Sequence, residues 1–141
     1  MTEEQKVIDL LGRVKTVALV GASNKPHRAS YRVMQYLLDC GYDVIPVNPR
    51  LQGQELLGQQ VLASLEEINQ PIDMVDIFRN SDDAAGVVDQ AIAAEAGAVW
   101  MQLGVINIEA AKRAENAGLT VVMDRCPKID IPQLSIVTPA G

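Results

Sequence analysis

The chain has little of what metal centres, disulfide frameworks and histidine-based active sites require. Its 141 residues include two cysteines, Cys40 and Cys126, and one histidine, His27. The cysteines lie far apart, and neither belongs to a CxxC pair or a histidine cluster, so we expect reduced thiols and no zinc site. Because His27 has no partner at metal-ligand or triad spacing, we predict neither a catalytic residue nor a metal ligand there.

Long hydrophobic runs are also missing. No segment approaches the roughly 18 consecutive apolar residues that a membrane span needs, and the first residues, Met1-Thr-Glu-Glu-Gln-Lys, do not form an apolar signal region. We therefore expect a soluble, cytoplasmic protein without membrane contact. The hydrophobic content of 48% is enough for one core, so we expect a single domain over residues 1–141.

Acidic residues are absent from one part of an otherwise acidic protein. The formal net charge of −6 argues against nucleic-acid binding through an extended basic surface. No Asp or Glu lies between Asp9 and Asp39, and that segment contains the cations Arg13, Lys15, Lys25, Arg28 and Arg32. A local cationic segment suits a small polyanion, although chance clustering on a solvated helix face gives the same pattern.

Strand and helix patterns alternate along the chain. Apolar runs of the kind buried in parallel sheets are TVALVG, DVIPVNP, DMVDIF, AVWMQL and LTVVM. Helical patterns are predicted over residues 3–13, around 33–41, over 81–97 and over 107–117. This order indicates right-handed βαβ crossovers. We therefore predict an α/β, Rossmann-like, doubly wound fold with a mainly parallel five-stranded sheet and helices on both faces.

The remaining segments have weaker patterns. The first helix, over residues 3–13, is predicted to be an amphipathic lid. Residues 52–60 are expected to form a loop or short hairpin, and Ser64-Leu-Glu-Glu67 matches a capping box that opens one or two helical turns. Ser81 is predicted to cap the third helix. The tail from Asp124 onward, with its three prolines, is predicted to be irregular.

In an open parallel sheet, ligands bind beyond the carboxyl ends of the strands, where the winding reverses. This rule nominates residues 21–30, 48–50, 78–80, 102–104 and 124–128. The first of these segments has chemistry suited to a phosphate. Gly21 allows a tight turn after the strand, Ala22 and Ser23 are small enough for close approach, and Lys25 and Arg28 supply positive charge.

Parts of this phosphate loop also fit simpler roles. The expected second glycine of a dinucleotide-binding turn is missing after Gly21. Taken singly, Gly21 fits an ordinary end of a strand. Ser30 fits either an ordinary N-cap or a ligand of a phosphate oxygen.

The end of the second strand separates the candidate ligands. An NAD-binding module usually has Asp or Glu there, roughly 20 residues past the glycine turn, to hold the ribose hydroxyls. Here Asn48, Pro49 and Arg50 occupy this place. A cation without a carboxylate suits a ribose that carries an extra phosphate, which is the 2′-phosphate of NADP or the 3′-phosphate of coenzyme A (CoA).

Residues 17–50, followed by VDIFR, WMQLG and DRCPKID, resemble the stand-alone bacterial and archaeal CoA-binding proteins. These are similar to the nucleotide-binding first domain of the succinyl-CoA synthetase alpha subunit and of ADP-forming acyl-CoA synthetases. The resemblance covers about residues 15–134. It implies that the protein binds CoA or an acyl-CoA. The phosphohistidine domain and ATP-grasp partner of the synthetases are not recognised in this chain, so we expect no synthetase activity.

The resemblance also implies roles for particular residues. Gly21, Ala22 and Ser23 would hold the pyrophosphate, with Lys25, Arg28 and Ser30 nearby. Val47, Asn48 and Pro49 would flank the adenosine, and Arg50 would bind the 3′-phosphate. The residues expected to border the adenine or the pantetheine arm are Ile77, Phe78, Arg79 and Gln102.

Other functions stay open at this point. The main alternative is an NAD(P)-binding redox sensor or enzyme on the same scaffold. A second is a thiol enzyme that uses Cys126, which lies between Arg125 and Lys128 in a setting that favours a thiolate if the side chain is exposed; a buried structural thiol is the simpler reading. A third is a subunit that supplies a nucleotide site to a partner chain. The sequence leaves the oligomeric state open.

Overall fold

The computed structural model of the protein describes all residues from 1 to 141 and confirms the predicted Rossmann-like α/β fold. In chain order the strands are β1 (Thr16–Val20), β2 (Asp43–Val47), β3 (Glu55–Leu56), β4 (Gln59–Gln60), β5 (Met74–Ile77), β6 (Ala98–Met101) and β7 (Thr120–Val122). Five of them form a fully parallel sheet in the spatial order β2-β1-β5-β6-β7. The short strands β3 and β4 form the predicted hairpin.

Helices cover both faces of the sheet. They are α1 (Glu3–Arg13), α2 (Ala29–Asp39), α3 (Ser81–Ala93), α4 (Ile108–Asn116) and α5 (Pro127–Gln133). Apolar side chains of α1, α2 and α5 pack with one face of the strands in a first core. Those of α3 and α4 pack with the opposite face in a second core, where buried alanines bring both helices close to the sheet. None of the helices combines the length and apolar character that crossing a membrane requires.

The proline in β2 is accommodated because this strand lies at an edge of the sheet. Pro46 pairs in register with Leu19 of β1, and on its outer side its carbonyl accepts a hydrogen bond from the Leu62 amide at 3.0 Å. An edge strand tolerates the missing amide of a proline, whereas a central strand loses a ladder hydrogen bond. The strand therefore continues to Val47 and places Asn48 at the carboxyl edge of the sheet.

Two predictions about helices are wrong. The N-terminal helix is not a lid, because Val7, Leu10 and Leu11 are completely buried in the first core. The tail is not irregular, because residues 127–133 form α5. Pro127 is the first helical residue, a position where no intrahelical amide is needed, and Pro132 comes late enough to disturb only the last turn.

Predicted helix starts also differ from the structure in three places. The side chain of Asn80, one residue before Ser81, accepts from the Asp83 amide and is the N-cap of α3. The N-cap of α2 is Arg28, so Ser30 lies inside the first turn. Residues 65–67 form only a single 3₁₀ turn and Ser64 accepts no capping bond, because the Glu67 carboxylate instead accepts from the Ala63 amide at 2.6 Å.

Candidate functional site

The candidate site is a cleft at the carboxyl edge of the sheet, where the winding reverses between β1 and β5. Gly21 directly follows β1 with a φ of +93°, and a Cβ at this position would lie 2.3 Å from the Phe78 carbonyl oxygen. Glycine is therefore required both by the backbone conformation and by the close approach of the segment after β5. The amides of Gly21 and Ala22 donate to the Val47 carbonyl at 3.0 and 3.3 Å, so they hold the turn against β2.

Two adjoining cavities form this cleft. The first, of about 430 Å³, is lined by Gly21, Ala22, Ser23, Asn24, Lys25, Arg28, Ala29, Ser30, Asn48, Arg50, Leu51 and Phe78. The second, of about 380 Å³, is lined by Val20, Gly21, Val47, Asn48, Pro49, Arg50, Phe78 and Arg79. The two cavities share the lining residues Gly21, Asn48, Arg50 and Phe78. Every residue with a predicted ligand role lines the cleft except Ile77 and Gln102. Within the nominated strand ends, residues 26–27, 80, 103–104 and 124–128 do not line it.

Asn48 holds the two sides of the cleft together. Its Nδ2 donates to the Ala22 carbonyl at 2.8 Å, and its Oδ1 accepts from the Arg50 amide at 2.9 Å. The same side chain thus fixes the loop after β1 and the 3₁₀ turn at Pro49–Leu51 that carries Arg50. This dual role explains why a neutral amide serves here, since a carboxylate could not donate to a carbonyl.

Residues that line the first cavity have free hydrogen-bond donors. The amides of Ala29 and Ser30, in the first turn of α2, and those of Ser23 and Asn24 donate to no other group of the protein. Ser23 Oγ accepts from the Lys25 amide at 3.1 Å, which leaves its hydroxyl proton available as a donor. Amides at the start of a helix carry partial positive charge and bind phosphate oxygens.

The cleft is cationic within a protein of net charge −6. Lys25, Arg28 and Arg50 form no ion pair with any carboxylate, and no acidic residue lines either cavity. Arg79 differs from these three cations, because Asp83 binds it at 2.9 Å. Unpaired cations that face a concave surface concentrate anions there.

The two residues that have predicted ligand roles but lie outside the cleft are buried. The side chain of Ile77 is fully buried in the second core, so it offers no surface to a ligand. Gln102 is 5% exposed and lies against Asp76, which is completely buried. When the Gln102 amide is oriented with Nε2 toward the carboxyl, Nε2 donates to Asp76 Oδ1 at 2.9 Å. Burial raises the pKa of the Asp76 carboxyl well above its ordinary value.

The structure also adds residues to which the sequence assigned no individual role. Asn24, Ala29 and Leu51 line the first cavity, and each is adjacent to a residue with a predicted role. A third cavity, of about 220 Å³, shares four lining residues with the second. It is lined by Val20, Val47, Pro49, Ala63, Ser64, Arg79, Asp83, Gly86, Val87 and Gln90. No local pattern marks the residues from 63–64 and 83–90, because only the folded chain brings them to the end of β2.

The surroundings of Cys126 do not match the exposed cationic setting considered for a reactive thiol. The residue is 7% exposed and belongs to the first core. Its cationic neighbours are engaged elsewhere, because Arg125 binds Asp130 at 2.8 Å and Lys128 lies 5.7 Å from the centre of the Tyr36 ring. No group of His, Cys, Asp and Glu side chains is arranged to hold a metal ion.

Comparison with known proteins places this geometry in a family. The family model described as a CoA binding domain matches residues 15–132. YneT of Bacillus subtilis strain 168, described as uncharacterized, is 40% identical over 124 residues, which are 88% of this chain and 90% of YneT. A hypothetical protein from Pyrococcus horikoshii OT3 is 41% identical with a TM-score of 0.88, over 96% of this chain and 93% of that one.

A more distant likeness concerns the fold alone. The apo form of the dinucleotide forming acetyl-coenzyme A synthetase 1 of Ca. Korarchaeum cryptofilum is 23% identical with a TM-score of 0.71. The match covers 83% of this chain but 28% of the synthetase, so a similar domain occurs there within a much longer protein. On the match of the family model to most of its length, the chain belongs to the CoA-binding domain family.

Proposed function

We propose that the protein binds CoA or an acyl-CoA in the cleft, without synthetase activity of its own. The observation that carries the proposal is the set of unpaired cations, Lys25, Arg28 and Arg50, in a cleft that also contains free amides and no carboxylate. An acidic protein repels a polyanionic ligand unless one region is cationic. Membership in the CoA-binding domain family supports the choice of CoA among such ligands.

The cleft supplies a place for each charged part of CoA. The pyrophosphate would accept from the Ser23 and Asn24 amides and the first turn of α2, with Lys25 and Arg28 neutralising its charge. Arg50 would bind the 3′-phosphate. The adenine would enter the third cavity, between Pro49 and the start of α3.

NADP is the second candidate, and Arg50 is the observation that favours it over NAD. NADP carries its extra phosphate on the ribose 2′-hydroxyl, close to where CoA carries the 3′-phosphate, so one arginine can serve either ligand.

Isothermal titration calorimetry with CoA, acetyl-CoA, NADP and NAD decides between the two candidate ligands, CoA and NADP. We expect heat of binding for the CoA ligands and little for NAD. Tight NADP binding with none for CoA would replace the proposal by the alternative.

The role of Arg50 can be tested by a charge reversal. Arg50→Glu should lower the affinity for CoA by roughly 10- to 100-fold, the range expected when a charged hydrogen bond is lost. The affinity for dephospho-CoA, which lacks the 3′-phosphate, should change much less. Lys112→Glu changes the charge equally on the exposed surface of α4 and is the control. Equal losses for both ligands in Arg50→Glu would contradict a 3′-phosphate role.

A further inference from the structure

The loop after β6 exposes large apolar side chains at the same edge of the sheet as the cleft. Leu103 is 56% exposed and Ile106 46%, and we name these two side chains the apolar platform. A single exposed aliphatic residue needs no explanation, but two large ones in one short loop are typical of a binding surface. The proposed CoA site does not use either of them.

The loop that carries this platform is held in a defined conformation. The Gly104 amide donates to Asp124 Oδ1 at 2.7 Å, and the Ile106 amide donates to Ser81 Oγ at 3.0 Å. Asn107 Nδ2 donates to the Ser81 carbonyl at 2.9 Å, and Val105 is buried in the second core. The apolar platform is therefore preorganised, and a ligand that binds it does not have to order the loop.

The strand order places this platform beside the cleft. In the sheet, β5 lies between β1 and β6. The phosphate loop follows β1, and the platform follows β6. At the usual spacing of neighbouring strands, the two strand ends lie roughly 10 Å apart. Ser81, which anchors the loop, follows Phe78 of the cleft by three residues, so one short segment joins the two surfaces.

The pantetheine arm of CoA is long enough to span this separation. Its pantetheine arm contains two amide units and an aminoethyl thiol, and it extends roughly 15 Å by the bond geometry that gives a peptide about 3.5 Å per residue. An arm that starts from the pyrophosphate in the first cavity and runs over β5 therefore brings the thiol end to β6. Whatever is attached to the sulfur then lies against Leu103 and Ile106.

We propose that the apolar platform binds the hydrocarbon part of an acyl-CoA, so that the preferred ligand carries an apolar acyl chain of several carbons. The proposal rests on the proposed function, because the arm is positioned only when the nucleotide occupies the cleft. Each methylene that leaves water on binding adds to the affinity. Octanoyl-CoA should therefore bind at least roughly 10-fold more tightly than acetyl-CoA, while CoA and acetyl-CoA bind similarly.

Calorimetry with CoA, acetyl-CoA and octanoyl-CoA on two variants tests the proposal. In Leu103→Ser combined with Ile106→Ser, CoA affinity should stay within about twofold of the natural protein, and the extra affinity for octanoyl-CoA should be lost. The control is Val137→Ser, which removes a side chain that is 73% exposed and follows α5 in the C-terminal tail. This control should keep the octanoyl preference.

Three results would overturn the proposal. The first is CoA binding without any preference for octanoyl-CoA, and the second is a preference that survives in the double variant. The third is a loss of mass from dimer to monomer in sedimentation of the double variant, since a second copy would then cover Leu103 and Ile106. If CoA itself does not bind, the proposed function fails, and this inference fails with it.

Discussion

At the residue scale, Gly21 determines the shape of the cleft. Its φ of +93° disfavours any side chain, and the Phe78 carbonyl occupies the space that a Cβ would need. Gly58, in the turn between β3 and β4, has a similar φ of +80° but no atom within 4 Å of a built Cβ. Alanine substitutions at the two glycines therefore allow the cost of backbone strain to be separated from the cost of overlap with a neighbouring backbone.

Gly21→Ala should lower the free energy of unfolding by about 3 kcal/mol or more, because strain and overlap add. Gly58→Ala should lower it by about 1 to 2 kcal/mol, the cost of the left-handed conformation alone. Urea unfolding followed by circular dichroism measures both losses. Equal losses would show that the segment after β5 can move away from Gly21 at little cost.

Asp76 is a second residue whose environment has a measurable effect. Because burial raises the pKa of this carboxyl in the folded protein, the folded state binds a proton more tightly than the unfolded state. The free energy of unfolding therefore falls as pH rises above the ordinary aspartate pKa, and it levels off above the raised folded pKa. Gln102 can serve either form, since its Nε2 donates to a carboxylate and its amide oxygen accepts from a protonated carboxyl.

Asp76→Asn should remove the cost of burying a charged carboxylate. It should keep the hydrogen bond to Gln102, because an asparagine oxygen still accepts from Gln102. The stability of the variant relative to the natural protein should rise with pH, by at most about 1.4 kcal/mol per pH unit. Urea unfolding of both proteins from about pH 4 to about pH 8 covers the window. A stability difference that does not change with pH would contradict a raised pKa.

At the element scale, α5 is the helix that local patterns missed. Seven residues with two prolines do not form a stable helix alone, so its stability must come from packing. Ile131 is buried in the first core, and Asp130, 5% exposed, accepts from Arg125 Nε and Nη2 at 2.8 and 3.1 Å. The carbonyl of Arg125 in turn accepts from Trp100 Nε1 at 2.8 Å, which joins the helix to β6.

Asp130→Ala should lower the free energy of unfolding by roughly 1 to 3 kcal/mol, because Arg125 loses a partner in a partly buried place. Glu109→Ala removes one of the two carboxylate partners of Arg113, the other being Asp89. The Glu109 side chain is 87% exposed, so this change should cost less than about 0.5 kcal/mol. Thermal or urea unfolding of the two variants shows which substitution lowers the free energy of unfolding more. A smaller loss for Asp130→Ala than for Glu109→Ala would show that packing alone holds α5.

The strands illustrate how far patterns along the chain lead. Each apolar run nominated from the sequence became a strand of the main sheet, since continuous apolar segments are buried on both faces of a parallel sheet. Successive side chains along a strand point to opposite faces of the sheet. Ile77 therefore lies in the second core, whereas Phe78, the residue after the strand, lines the cleft. Helix starts were less predictable, because several polar residues near each start compete for the capping position.

At the scale of the whole molecule, charge is divided between an acidic surface and a cationic cleft. A ligand that binds only the folded state stabilises it, by about 2.7 kcal/mol at a hundredfold excess over Kd. For a domain of this size that stabilisation corresponds to a rise in Tm of roughly 5 to 10 °C. We expect this rise with CoA, and we expect it to shrink in about 1 M salt, where charges are screened within a few ångströms.

Differential scanning fluorimetry with and without salt measures this effect. Pantetheine, which has the arm of CoA but no phosphates, is the control and should leave Tm unchanged. A rise in Tm that is equally large at high salt would contradict binding through the cations of the cleft. A rise with pantetheine alone would indicate that the arm, rather than the nucleotide, provides the affinity.

Some properties of this protein follow from the order of residues along the chain. The alternation of apolar runs with helical stripes implies a parallel sheet, and in such a sheet the strand ends carry the ligand site. Most of the residues that line the cleft follow directly from this rule. The rule applies because strand ends are local features and all parallel strands end at one edge.

Other properties depend on segments that are distant in sequence and become neighbours only on folding. The pairing of Gln102 with Asp76, the third cavity between β2 and α3, the burial of Cys126 and the helix α5 all required the folded chain. Each arises from contacts across the sheet, whose energies outweigh local propensity and leave no periodic signal in the sequence.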